Sequence, residues 1–249
     1  MQRSLIYIPL PGSKKINHQS LPTVKKINNI ALFLALLFHV SGAIGMILTP
    51  YKDWFISYTP FTLLVMFVLL LLTQEQKNSW FWLFVVLCFI TGLAVEIIGV
   101  NKGWIFGEYV YGDVLGPKLL NVPLLIGVNW FTAVYCAANL VYVLNEWLFK
   151  KLGNDMRPSI AVMLFAFVTD AAMVTTFFDW IMEPTAVQLG FWKWLPAGEI
   201  PLYNFICWFV ISALLQTAFR LFKFPKPNQF AVHLLIIELL FFLVLQTFL

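Results

Sequence analysis

Trp80-Phe81-Trp82-Leu83-Phe84-Val85-Val86-Leu87-Cys88-Phe89-Ile90-Thr91-Gly92-Leu93-Ala94-Val95-Glu96-Ile97-Ile98-Gly99 carries a single charge, on Glu96. At about 1.5 Å per residue, a helix of this length crosses roughly 30 Å of hydrocarbon. Such a helix satisfies its own backbone polar groups, which a lipid interior demands. The connection that follows is of another kind: Val100-Asn101-Lys102-Gly103-Trp104-Ile105-Phe106-Gly107-Glu108-Tyr109-Val110-Tyr111-Gly112-Asp113-Val114-Leu115-Gly116-Pro117. So much glycine, tyrosine and acid between two spans is more than a solvated link needs. It reads as one wall of an active site facing an apolar substrate.

Outward from this stretch the chain keeps the same apolar grade. Its 249 residues are 61% hydrophobic and 11% charged, with mean hydropathy +0.83. That balance excludes a water-soluble globule. Apolar runs near 28–48, 58–73, 80–99, 122–144, 158–178, 201–219 and 230–249 predict an all-α, polytopic membrane bundle of about seven transmembrane helices. The second run is the shortest. Residues 1–27 form a polar, basic cytoplasmic segment without the pattern of a removable signal peptide, and 28–249 a single membrane-embedded catalytic domain.

Basic residues set the expected orientation. With a cytoplasmic N-terminus, twelve lie inside (Arg3, Lys14, Lys15, Lys25, Lys26, Lys77, Lys150, Lys151, Arg157, Arg220, Lys223, Lys226) and four outside (Lys52, Lys102, Lys118, Lys193). This bias predicts the N-terminus inside, Leu249 outside, and a multi-pass protein of the cell membrane. The net charge of +4 then belongs to the cytoplasmic face, where it favours anionic membrane lipid and implies no nucleic-acid partner.

Ionisable residues at membrane depth are costly and point to function. Glu96 lies about one turn from the outer end of its run, Asp170 near the middle of the fifth, and Asp179 and Glu183 at its outer end. Asp179 and Glu183, four apart, share a helix face if the helix persists; Pro184 is expected to end it. Asp170 and Asp179, nine apart, fall on roughly opposite faces. A carboxylic acid beside an apolar pocket is the donor that protonation of an alkene requires. The structural alternative is that these acids pair with Lys102, Lys118 or backbone donors and hold the loops.

Aromatic residues fill both outer loops, 100–121 and 179–200: Trp104, Phe106, Tyr109 and Tyr111 in the first, Trp180, Phe191, Trp192 and Trp194 in the second. They read either as an interfacial belt or as walls that stabilise a carbocation. Asn129, Trp130, Tyr135, Asn204 and Trp208 add polar tips in the spans, where helix–helix hydrogen bonding is the alternative role. Cys88, Cys136 and Cys207 lack CxxC spacing and read as small buried hydrophobes. His18, His39 and His233 are isolated, although His39 and His233 lie in spans and can meet in space. No GxSxG, Walker A or HExxH pattern occurs, so no metal site is expected.

The run from Phe106 to Leu124 with Asn129-Trp130, then Asp179-Trp180-Ile181-Met182-Glu183-Pro184, Gly190-Phe191-Trp192-Lys193-Trp194 and Ile200-Pro201-Leu202-Tyr203-Asn204-Phe205 with Trp208, resembles the membrane carotenoid-biosynthesis proteins that include carotenoid 1,2-hydratases and bisanhydrobacterioruberin hydratase. The resemblance runs from about Glu96 to Trp208. It implies a cofactor-independent hydro-lyase that adds water across the terminal 1,2 double bond of an acyclic (ψ) carotenoid end group, leaving a tertiary 1-hydroxyl. The implied partners are a lycopene-like carotenoid, membrane lipid and other carotenoid-biosynthesis enzymes. Protonation at C2 leaves a tertiary cation at C1 for water to attack. On this chemistry Asp179, Glu96, Glu183 and Asp170 are the candidate catalytic residues, with Asp179 or Glu96 as the acid and the other carboxyl orienting water. Tyr109, Tyr111, Asn129, Trp130, Trp192, Trp194 and Asn204 are the candidate substrate-binding residues. Two other readings stay open: a membrane lycopene cyclase, in which an alkene traps the same cation, and a non-enzymatic transporter or scaffold. Transporters often carry paired half-sequences, and no such repeat is visible.

Overall fold

The computed structural model describes residues 22–153, 158–195 and 199–249. Residues 1–21 of the expected cytoplasmic segment, and Arg157, lie outside them. The described chain runs α1 (Pro22–Leu48), α2 (Lys52–Ser57), α3 (Thr59–Thr73), α4 (Ser79–Lys102), β1 (Tyr109–Tyr111), β2 (Lys118–Leu119), β3 (Val122–Pro123), α5 (Leu125–Leu152), α6 (Ile160–Gln188), β4 (Trp192–Trp194), α7 (Leu202–Leu221) and α8 (Gln229–Phe248). Six helices are long and apolar enough to cross a membrane, and α3 is a shorter apolar helix of 15 residues. The protein is an all-α, polytopic membrane bundle, with each expected span occupied by a helix.

Local chemistry sets the helix starts. Asn78, Ser159 and Asn228 cap α4, α6 and α8, each accepting from the backbone N–H three residues on, the role in which short polar side chains excel. All three caps lie at one end of the bundle. At the other end Gly103, at φ +65°, closes α4 in the left-handed conformation.

α5 is the central helix, against which α3, α4, α6, α7 and α8 all pack. It is the least apolar span, with hydropathy 1.3 against 1.6–2.6 elsewhere, yet 78% of its most apolar stretch is buried. A helix enclosed by protein needs no lipid-grade surface. Ala133, Ala137 and Ala138 are buried in it, and small residues of this kind allow close helix approach. α6 and α7 instead expose Phe165, Phe177, Val210 and Leu214, as lipid-facing helices do.

One expectation is corrected, and two details are added. α6 does not stop at Pro184 but continues to Gln188. The proline removes one intrahelical donor, and the helix continues for another turn before Leu189 N–H caps back to Thr185. The second outer loop therefore begins near 189, not 179. The two outer loops meet in a short ribbon: β1 and β4 pair antiparallel, with Tyr109 opposite Trp194 and Tyr111 opposite Trp192. Finally, Lys226, counted among the cytoplasmic charges, is 5% exposed. Its amine donates to the carbonyls of Phe219 and Phe222 and lies over the Phe224 ring.

Candidate active site

The β1–β4 ribbon builds the site by simple alternation. Successive strand side chains point to opposite faces, so Tyr109 and Tyr111 project with Trp192 and Trp194 into the protein. Gly112 ends the ribbon, where an added Cβ would lie 2.1 Å from the Gly190 carbonyl; only glycine fits there.

Each pair of aromatic donors meets its own carboxyl. Glu96 on α4 accepts from the Tyr109 hydroxyl, from the Tyr111 hydroxyl at 2.8 Å, and on its other oxygen from Trp130 Nε1 at 3.0 Å. Glu183 on α6 accepts from Trp192 Nε1 at 2.7 Å and Trp194 Nε1 at 2.5 Å. Asp179, one turn earlier on α6, accepts from Asn204 Nδ2 of α7 at 2.9 Å. Its second oxygen, Oδ1, is buried without a partner. All three carboxyls are at most 4% exposed.

Glu96, Asp179 and Glu183 line one cavity of ≈ 40 Å³ together with Tyr109, Tyr111, Asn129, Trp130, Trp192, Trp194 and Asn204. Every sequence-predicted site residue except Asp170 is therefore brought together. Asp170 is exposed on α6, as its nine-residue offset from Asp179 requires, and it does not reach the cavity. The lysines expected as alternative partners do not enter either. Lys118 pairs with Asp113 at 2.7 Å and, through that hydrogen bond, holds the exposed Asp113 carboxyl below its usual range. Burial, and then the charge of Glu96, push the phenols of Tyr109 and Tyr111 above theirs, so both remain donors.

Phe106 and Trp208 complete the walls. The Trp208 ring stacks on Trp130 at 4.0 Å and 8°. Phe106, 1% exposed, is held at φ +69°, a conformation that costs a bulky residue about 1–3 kcal/mol. Gly92 lets Trp130 lie against α4: a Cβ there would stand 2.4 Å from the indole. By contrast Trp104 and Trp180 are exposed and fit the interfacial belt.

A second cavity of ≈ 370 Å³ adjoins the first, and Asn129, Met182 and Trp208 line both. Its other walls are mainly apolar, from α1, α2, α3, α5 and α8, and include His39 and Glu238. Glu238 is a buried intramembrane carboxyl that the sequence reading passed over; its signal was a lone acid in an apolar run. His233 is exposed and does not join His39. Among the described residues, no three His, Cys, Asp or Glu side chains are placed to share a metal ion.

A multi-pass membrane protein whose buried carboxyls adjoin an apolar cavity is the class that fold and site define. Residues 56–249 match the model of the carotenoid biosynthesis protein family, and the chain belongs to that family. It is similar to bisanhydrobacterioruberin hydratase of Haloarcula japonica, with 35% identity over 115 residues, covering 46% of this chain and 34% of that protein. The matched part thus spans about a third of that relative's length. No solved structure matches the chain.

Proposed function

We propose that this protein is a cofactor-independent hydratase of the cell membrane, adding water to the terminal 1,2 double bond of an acyclic carotenoid end group. The observation that carries the reading is the buried Asp179 carboxyl, one oxygen unpartnered, in the wall of a small cavity that shares three lining residues with a larger apolar one. The relative's name supports the reaction class.

The apolar cavity falls in the usual range for a ligand site, about 300–1,000 Å³. It takes one end of a polyene whose remainder lies in the bundle or the bilayer. Three donors occupy both oxygens of Glu96, which serves as an acceptor, while two indoles share Oε1 of Glu183. Asp179 keeps one oxygen free, and a transferable proton resides there. Asp179 protonates C2, leaving a tertiary cation at C1 beside the stacked faces of Trp130 and Trp208, which attract positive charge. Water in the polar cavity attacks C1 and gives up a proton to the carboxyl cluster, from which Asp179 is restored. One alkene and one water yield one tertiary alcohol, and no net proton is consumed.

The polar cavity exceeds the roughly 10–15 Å³ that one water needs, which favours hydration over cyclisation by the same cation. Pigment extracted from a lycopene-producing host expressing this chain is expected to gain the mass of one water. The new oxygen comes from isotopically heavy water; label arriving from dioxygen instead would falsify the hydratase reading.

A further inference from the structure

We propose that Glu238 of α8 and His39 of α1 form a polar subsite in the wall of the apolar cavity that takes a hydroxyl group carried by the isoprenoid ligand. The proposal rests on the hydratase reading and adds to it what the rest of the substrate must look like.

Glu238 is 5% exposed and His39 9% exposed, and both line the ≈ 370 Å³ cavity. A carboxyl amid the apolar residues of α8 is expensive unless something pairs with it. Glu238 Oε2 is buried with no hydrogen-bond partner, and the ion pair formed among the described residues is Lys118 with Asp113. His39 is committed in the opposite sense. Its Nδ1 lies 2.8 Å from the Ala35 carbonyl, so Nδ1 carries the proton and Nε2 is the acceptor. The ring is fixed edge-on against Phe241, with centroids 5.2 Å apart.

The two therefore present an acceptor nitrogen and an unsatisfied carboxyl in a mainly apolar cavity. A hydroxyl both donates and accepts, so it suits an acceptor nitrogen such as Nε2 and a protonated carboxyl such as Glu238. A pure hydrocarbon satisfies neither and leaves the Glu238 carboxyl buried with an unpaired oxygen. Sites built to bond a hydroxyl reject the ligand that lacks it for this reason. The polar pair lies apart from Asp179 and Glu183, which occupy the neighbouring cavity. It acts on ligand choice and not on the protonation step.

The test uses the full chain in lipid nanodiscs, with tryptophan quenching by the bound polyene as readout. The probes are lycopene and a hydroxyl-bearing carotenoid of the same skeleton. The wild-type protein is expected to bind the hydroxylated probe about tenfold tighter. Glu238→Leu and His39→Phe each move the ratio of affinities about tenfold toward lycopene, while the isosteric Glu238→Gln keeps part of the preference. Equal wild-type affinities, or a ratio unmoved in every variant that inserts, overturn the subsite; a pair that merely holds a structural water gives that result. Because the readout is binding, selective capture of the hydroxylated probe without any hydrated product overturns the hydratase reading alone. Failure to bind either probe overturns both.

Discussion

Tyr109 and Trp194 face each other across the β1–β4 ribbon with ring centroids 5.1 Å apart, yet they donate to different helices, Tyr109 to Glu96 of α4 and Trp194 to Glu183 of α6. A ribbon of three residues on each side thus fastens two spans together through their carboxyls. It fixes the acceptors in place and covers the end of the polar cavity.

Replacing Asp179 with Asn keeps size and polarity but removes the acid. Hydration is expected to fall by about 10²–10⁴-fold, with insertion unchanged, as measured by pigment mass analysis beside a membrane-fraction blot. Glu96→Gln also impairs turnover, through loss of an acceptor. Asp113→Asn, at an exposed ion pair, leaves turnover within about twofold, since surface pairs are worth little. Near-normal hydration in inserted Asp179→Asn would overturn the donor assignment.

Tyr109→Phe and Tyr111→Phe each remove one donor from buried Glu96. Each is expected to lower stability by about 1–3 kcal/mol, read from thermal aggregation in detergent. Since both hydroxyls share one oxygen of Glu96, the double variant should depart from the sum of the singles.

The same two phenols give a pH signature. Their folded-state values lie above the ordinary range, so the stabilisation they carry is fully present below about pH 10 and lost only as pH rises beyond it. Tyrosinate absorbance of folded wild type at about pH 10–11 is therefore expected to match that of the double Phe variant. A wild-type rise larger by two tyrosines contradicts this.

Gly92→Val places a side chain where Trp130 lies. With a Cβ 2.4 Å from the indole, α4 and α5 must separate or Trp130 must turn, at a cost of about 1–3 kcal/mol. Stability and turnover are expected to fall together. Retention of both would mean that Trp130 is free to repack.

Sidedness is testable with two reporters, one after Leu249 and one at Gly153. The seven-helix, N-inside arrangement that we propose places them on opposite sides of the membrane. Reporters on the same side would mean that the number of crossings between Gly153 and Leu249 differs from three by an odd number.

The spans were legible in the sequence because lipid allows few alternatives: an apolar run of the right length must be a helix. The carboxyl cluster was legible for a related reason, since an acid such as Glu96 or Asp179 stands out against an apolar background. The continuation of α6 was hidden because Pro184 is a helix-stopping signal locally, and tertiary packing overrides it. The ribbon was hidden because β1 and β4 are each three residues long and lie on opposite sides of α5 and α6 in the chain. Its period-2 signature, Tyr109 with Tyr111 and Trp192 with Trp194, is visible once pairing is known. That Glu238 and His39 line one cavity depends on α1 packing against α8, which no local pattern encodes.

α3 has 15 residues, about 22 Å of helix at 1.5 Å per residue, against roughly 30 Å of hydrocarbon. Together with α2 it walls the apolar cavity, through Trp54, Phe55, Tyr58 and Phe61. A helix too short for the bilayer draws the headgroups inward around it. In the seven-helix arrangement that we propose, headgroups dip toward α3 on the cavity side, where the proposed polyene would have less acyl chain to part. On the proposed function, bilayer thickness would then bear on turnover, since membranes of shorter-chain lipid relieve the mismatch.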